Sequence, residues 1–234
     1  LKFFNTNYKK IILSKDNRVF LVSVTVIFLI LSYFLIPTLY NKDIIQSEIK
    51  NQILKKYNID VKFNKKIRYG LFPKPHFVAE KINLLRANKI IGEAENFSIY
   101  FSLDQIFKFN SINVKDLVFK KTDFIINKDD LIFFENLLKT EPNENRIIIK
   151  NSKIFFKDNK EEVLFINKIF KSKFYYDSKN LQNILSSKNE IFNAPYKLLI
   201  KYDRFNKKIY SNFSSKKLRL TIKNLINYDQ DLKV

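Results

Sequence analysis

His76 is the chain's one histidine, and cysteine is absent. A metal centre needs several imidazole, thiolate or carboxylate donors converging on one point. A lone ring in the Pro-flanked stretch Leu71-Phe72-Pro73-Lys74-Pro75-His76 reads as structural or solvent-facing. The two glycines, Gly70 and Gly92, lie too far apart for a Gly-rich phosphate loop. The acid pairs Asp129/Asp130 and Glu161/Glu162 fall where helix caps or turns are expected, so they read as capping or solvated groups. No Ser-His-Asp set or nucleophile elbow can be assembled. No catalytic, metal or cofactor-binding residue is assigned, and the chain is not read as an enzyme.

Charge gives the next constraint. The 43 Lys and Arg against 23 Asp and Glu leave a formal net charge of +20. The lysines are spread along the chain at the polar positions of strands and in turns. They read as solvated surface and A/T-rich codon usage, so nucleic acid is not assigned as a partner. Such a surface also favours contact with anionic lipid headgroups. The absence of cysteine removes disulfides without fixing a compartment. The chain begins at Leu1, contains no Met, and stops at Val234 within a strand-like segment, which suggests a piece of a longer protein.

The elements follow from hydropathy and period. Val19 to Ile36 carries no charge, and with Pro37 to Tyr40 it gives the ~20 residues that a helix needs to cross a bilayer. Ser23, Thr25 and Ser32 can bond back to their own helix, and Tyr33 and Tyr40 suit the interface. A cleaved signal peptide is the rival; the run is long for one, and Pro37-Thr38-Leu39-Tyr40 has no small-x-small cleavage pattern. Lys2, Lys9, Lys10, Lys15 and Arg18 before the span slightly favour an inside N-terminus.

Beyond the span, Asp43 is expected to cap a helix to Tyr57, with Ile45, Ile49, Ile53 and Tyr57 on one stripe. That stripe packs either on the protein's own β-domain, the favoured reading, or on a membrane surface. Period two then takes over. Strands are expected at Ile59–Phe63, near Ile67, and at Phe77–Leu85, Ile91–Leu103, Ile112–Phe119, Phe124–Ile126, Arg146–Lys150, Lys153–Lys157, Val163–Tyr176, Lys197–Asp203, Ile209–Phe213 and Leu218–Ile222. A short helical turn is expected at Asp104–Phe109, and short helices from Asp129 or Asp130 to Leu138 and at Leu181–Ser186, with Glu141–Asn145 as the clearest loop. The fold class is mainly β with short α-helices (α+β): one transmembrane helix, then a mostly antiparallel sheet with an apolar and a basic face. In Phe97 to Leu103 the alternation is clean. Phe97, Ile99, Phe101 and Leu103 are expected to point into a concave interior, with Ser98, Tyr100 and Ser102 outside. Lipid in that interior and ordinary core packing are both open.

Several of these segments together resemble the AsmA-like family of envelope proteins. The resemblance rests on the order of features: a membrane helix, an amphipathic helix ending in Tyr57-Asn58-Ile59-Asp60-Val61, and Ile67-Arg68-Tyr69-Gly70-Leu71-Phe72-Pro73-Lys74-Pro75, similar to the family's LFPxP signature. Ile82-Asn83-Leu84, Ala94 to Leu103 and Ser111 to Phe119 match its following strands. A Thr-Gly pair common in the family is replaced here by Tyr57-Asn58, and its Gly-x-x-Asn-Trp stretch has no counterpart near Asp129–Asn136, since Trp is absent. The resemblance implies inner-membrane anchoring, a periplasmic body, and a role in outer-membrane biogenesis and phospholipid homeostasis or transfer through an apolar groove. Phe97, Ile99, Phe101 and Leu103 would then be lipid-facing, and membrane phospholipid the partner. The alternative is a structural or assembly factor for outer-membrane proteins that carries no lipid. The expected segments are 1–18 cytoplasmic, 19–40 transmembrane, 41–57 amphipathic helix, 58–140 AsmA-like β-domain, and 141–234 further strands of the same body.

Overall fold

A computed structural model describes residues 15–104, 106–109, 111–139 and 145–227. Lys2, Lys9 and Lys10, the loop residues Glu141–Glu144, and the end of the chain at Val234 lie outside them. The chain divides into two units, 1–40 and 41–234.

In the first unit, α1 spans Lys15–Leu35 and passes into a single 3-10 turn, Ile36–Leu39. Asn17–Leu39, 23 residues, is long and apolar enough to cross a membrane. The Ser23 hydroxyl donates to the Val19 carbonyl at 2.8 Å and Thr25 to Leu21 at 2.9 Å, so neither brings an unsatisfied polar group into an apolar surround. Pro37 sits in the 3-10 turn, where its missing N–H costs little.

The second unit opens with α2, Lys42–Tyr57. Its cap is Asn41 and not Asp43. The Asn41 Oδ1 accepts the N–H groups of Asp43 (3.1 Å) and Ile44 (3.3 Å). Asp43 instead sits in the first turn, where its charge favours the helix dipole, and pairs with Lys66 at 2.9 Å. Asn58 closes the helix in the left-handed region, φ 53°. Ile45, Ile49, Ile53 and Tyr57 are all buried, as their four-residue spacing predicts.

Eleven strands follow: β1 Asp60–Phe63, β2 Arg68–Gly70, β3 His76–Arg86, β4 Lys89–Phe101, β5 Val114–Ile126, β6 Arg146–Lys157, β7 Val163–Asp177, β8 Gln182–Ile191, β9 Ala194–Asp203, β10 Lys208–Ser215 and β11 Leu220–Asn227. They form one open sheet in the order β1-β3-β4 and onward sequentially to β11, with β2 also on β3. Every pair is antiparallel except β5–β6, which is parallel. A parallel joint needs a crossover; here it contains α3, Leu131–Leu138, entered through a 3-10 turn at Lys128–Asp130. Asn127 precedes that turn, and its N–H donates to Asp130 at 2.9 Å, so Asp130 serves inside the first turn and not as the cap.

Two expectations need correction. Leu181–Ser186 is not a helix; Gln182 begins β8, paired on both sides by β7 and β9. Asp104 and 106–109 form turns, with the Ile106 N–H donating to the Leu103 carbonyl at 3.2 Å. The segments expected as separate short strands around Lys121 and Asn151 are continuous. Lys81, Lys121 and Asn151 all have left-handed backbones, φ 53°, 52° and 49°. Their registers align: Lys81 and Lys121 both fall level with Glu95, and Asn151 with Phe170. The left-handed residues at this level of β3, β5 and β6 make a crease; the strands stay paired one-to-one through it, and the alternation of each shifts by one residue.

The register defines two faces. One carries Ile82, Phe97, Phe119, Ile149, Ser172, Ser187 and Leu198 in turn and is termed the covered face, because α2 and α3 meet it. Gln52 of α2 donates to the Ile112 carbonyl at 2.6 Å and accepts the Val114 N–H at 3.2 Å. Asn183 of β8 donates to the Leu138 carbonyl of α3 at 2.9 Å. The opposite face is termed the open face.

Candidate functional site

Three of the four residues expected to face lipid belong to the core. Phe97 and Ile99 have no exposed surface and Phe101 is 7% exposed. Phe97 stacks on Phe119 at 4.6 Å between ring centres, and Phe101 on Phe77 at 5.1 Å. Leu103 lies just past the end of β4 and is half-buried. The inward direction of the first three agrees with the alternation, but the space is filled by the protein's own rings, under the covered face that α2 closes. Ser98, expected outside, is buried, and Tyr100 stacks on His76 at 4.9 Å.

The covered face is different beyond β7. Leu185 on β8, Leu198 and Ile200 on β9, and Ile209 and Phe213 on β10 are half-buried, while Ile222 and Ile226 on β11 are 44% and 51% exposed. The register brings these side chains to one side: Leu185 opposes Ile200, Leu198 opposes Phe213, and Phe213 opposes Ile222. Among the described residues, no helix lies over β9–β11. Several polar groups near them are satisfied within the sheet: Ser187 donates to Asn189 at 2.7 Å, Tyr196 to Asn167 at 3.0 Å, and Ser215 to the Pro195 carbonyl at 2.8 Å. The result is a largely apolar strip, with Ser211 and Asn224 set within it. The alternation predicts each of these side chains, but the strip itself appears only once the register lines up four strands.

The remaining candidates hold structure. The His76 Nδ1–H donates to the Lys74 carbonyl at 2.7 Å, and the ring fills the space beside Gly70, where a Cβ would approach within 2.9 Å of it. Glu161 pairs with Lys157 at 3.2 Å and Lys89 at 3.6 Å; these amines, Lys157 first, hold its carboxyl below the usual range. Asp130 pairs with Arg86 at 3.2 Å. On the open face the crease forms a polar cleft of about 660 Å³, lined by Lys81, Glu93, Glu95, Lys121, Asp123 and Asn151 among others. Lys121 and Glu95 pair across it at 3.0 Å. Its amines and carboxylates offset one another, and no nucleophile stands among them.

No family model matches the chain, and no curated protein matches it.

Proposed function

We propose that this chain is a membrane-anchored envelope protein of the AsmA-like type, with α1 as an inner-membrane anchor and the sheet unit in the periplasm. Its activity is to shelter phospholipid acyl chains on the covered face of β8–β11, in support of outer-membrane lipid homeostasis. One observation carries this reading: the apolar side of the sheet continues beyond its covering helices, leaving Leu198, Phe213, Ile222 and Ile226 in one accessible strip. An acyl chain laid there removes apolar surface from water without breaking a hydrogen bond. The order of elements supports the family: apolar helix, α2 ending at Tyr57, and the Leu71–Pro75 loop between β2 and β3. The lipid-facing residues thereby move from Phe97, Ile99, Phe101 and Leu103 to the later strands.

The test is a photo-crosslinking side chain placed at Leu198 or at Leu225 in the full chain. Capture of phospholipid at Leu198 and not at Leu225 is expected, since Leu225 neighbours Ile226 on β11 and faces the opposite side of the sheet. Protein-only products at Leu198, with no lipid co-purifying, would reject the reading. Reporter fusions after Asn58 and Lys139 test the compartment and should be active only when exported.

A second reading, an assembly factor that carries no lipid, draws on the edge of the sheet. Among the described residues β11 pairs on one side only, with β10. A free edge can add a strand from another chain. Cross-links from β11 to a partner protein, in place of lipid at Leu198, would favour it.

A further inference from the structure

Lysines that look scattered in the sequence form a straight row on the open face. Lys120 on β5 opposes Lys150 on β6, Lys150 opposes Lys171 on β7, Lys171 opposes Lys188 on β8, and Lys188 opposes Lys197 on β9. Strands lie ~4.8 Å apart, so this is a ladder of amines roughly 19 Å long. Like charges placed directly opposite each other across strands repel. None of the five has an ion-pair partner among the described residues. The carboxylates on this face of β7–β9 are already engaged: Glu190 with Lys168 at 2.7 Å, Asp177 with Asn180, and Asp203 with Gln182 and Asn206. Among the described residues the fold thus lines up amines that no carboxylate pairs with directly.

We infer that the Lys120–Lys150–Lys171–Lys188–Lys197 ladder is a docking surface for an anionic phospholipid membrane. Two further observations select this partner. The ladder lies on the side away from α2 and α3 and has no walls, which suits a planar array of anions more than an enclosed ligand. At its far end, Phe170 and Pro195 line an apolar recess of about 290 Å³ directly beside Lys188 and Lys197. Amines flanking an apolar recess match a phosphate joined to hydrocarbon, whereas a nucleic acid would gain nothing from the recess without unstacked bases. A basic residue near an anionic bilayer contributes attraction that falls off within a Debye length, so binding should be strongly salt-dependent. This inference is independent of whether lipid is carried on the covered face.

The experiment keeps the full chain in bilayer discs of phosphatidylcholine alone and offers it separate vesicles, either phosphatidylcholine or the same with about 30% phosphatidylglycerol, an anionic content chosen to give a strong surface potential. Flotation should capture the discs only with anionic vesicles, and raising salt from ~0.05 M to ~0.5 M should release them. The variant K150Q/K171Q/K188Q should bind roughly 10–100-fold more weakly. The control K42Q/K55Q/K108Q, which removes equal charge from exposed sites elsewhere, should bind as the parent does. Loss of like-charge repulsion means the ladder variant should fold at least as well, which its denaturation midpoint checks. Equal weakening in both variants would reduce the effect to net charge and overturn the proposal. Unchanged capture of the ladder variant would also overturn it. Duplex DNA binding that the ladder variant loses, with no preference for anionic vesicles, would reassign the row to nucleic acid.

Discussion

Ser152 shows how a single hydroxyl holds the crease together. Lys121 and Asn151 take the left-handed conformation at the same level, where β5 meets β6. The Thr122 N–H, buried there, donates to the Ser152 oxygen at 3.0 Å, and that hydroxyl donates on to the Lys150 carbonyl at 2.9 Å. Ser152→Ala removes the acceptor of the Thr122 N–H and should cost about 1–3 kcal/mol, the penalty for a buried unpaired donor, read as a lower denaturation midpoint. Lys56 and Tyr57 give a pH signature. Burial lowers the Lys56 amine to about 8, while burial, then the charge of Asp116, pushes the Tyr57 phenol well above its ordinary value. Between pH 8 and 10.5 the unfolded chain holds the Lys56 proton that the folded one has released, so stability rises with pH there. Above pH 10 the unfolded Tyr57 loses a proton that the folded one keeps, so stability falls. Comparing denaturation midpoints of the parent with Lys56→Met and Tyr57→Phe across this range should remove the rise and the fall respectively.

At the scale of elements, α2 was legible from its stripe alone, because four-residue spacing leaves no other geometry for Ile45, Ile49, Ile53 and Tyr57. Ile49 is fully buried and Ile44 is 42% exposed. Ile49→Ala should therefore cost about 2–5 kcal/mol and Ile44→Ala far less, measured as the difference in unfolding free energy. Strands were harder to delimit. Period two assumes an extended backbone at every residue, and the left-handed Lys81, Lys121 and Asn151 break that while the strand and its one-to-one pairing continue. Each phase shift reads as a strand end, which is why β5 and β6 looked like two pieces each. The error at β8 has a different origin. Leu181, Ile184 and Leu185 have helical spacing, and the inward-facing Asn183, Ser187 and Asn189 disguise a strand face as polar. Those groups are tolerated inside because each finds a hydrogen-bond partner in the sheet or in α3. The ladder of lysines could not be read at all before the register was known, since residues 120, 150, 171, 188 and 197 share no sequence period.

For the sheet as a whole, nine of its ten pairings are antiparallel and one is parallel. That single seam is fastened by side chains. Asn145 donates to the Val114 carbonyl at 2.6 Å, Arg146 grips Asp116 with two nitrogens at 2.8 and 2.5 Å, and Ser152 accepts from Thr122. On either side, strands neighbouring in the sheet are almost always neighbours in the chain, so β3–β5 and β6–β11 can each grow hairpin by hairpin. The seam must instead wait for a longer loop to close, and contacts that are distant in sequence form slowly. The expected order of assembly is two meanders first and their union last, with pulse-labelled hydrogen exchange showing amides of β3 and β4 protected before β5 and β6 protect each other; simultaneous protection would reject this order. A chain emerging from its N-terminus would then hold a half-built sheet ending in the bare edge of β5, open to mispairing until Arg146 reaches Asp116.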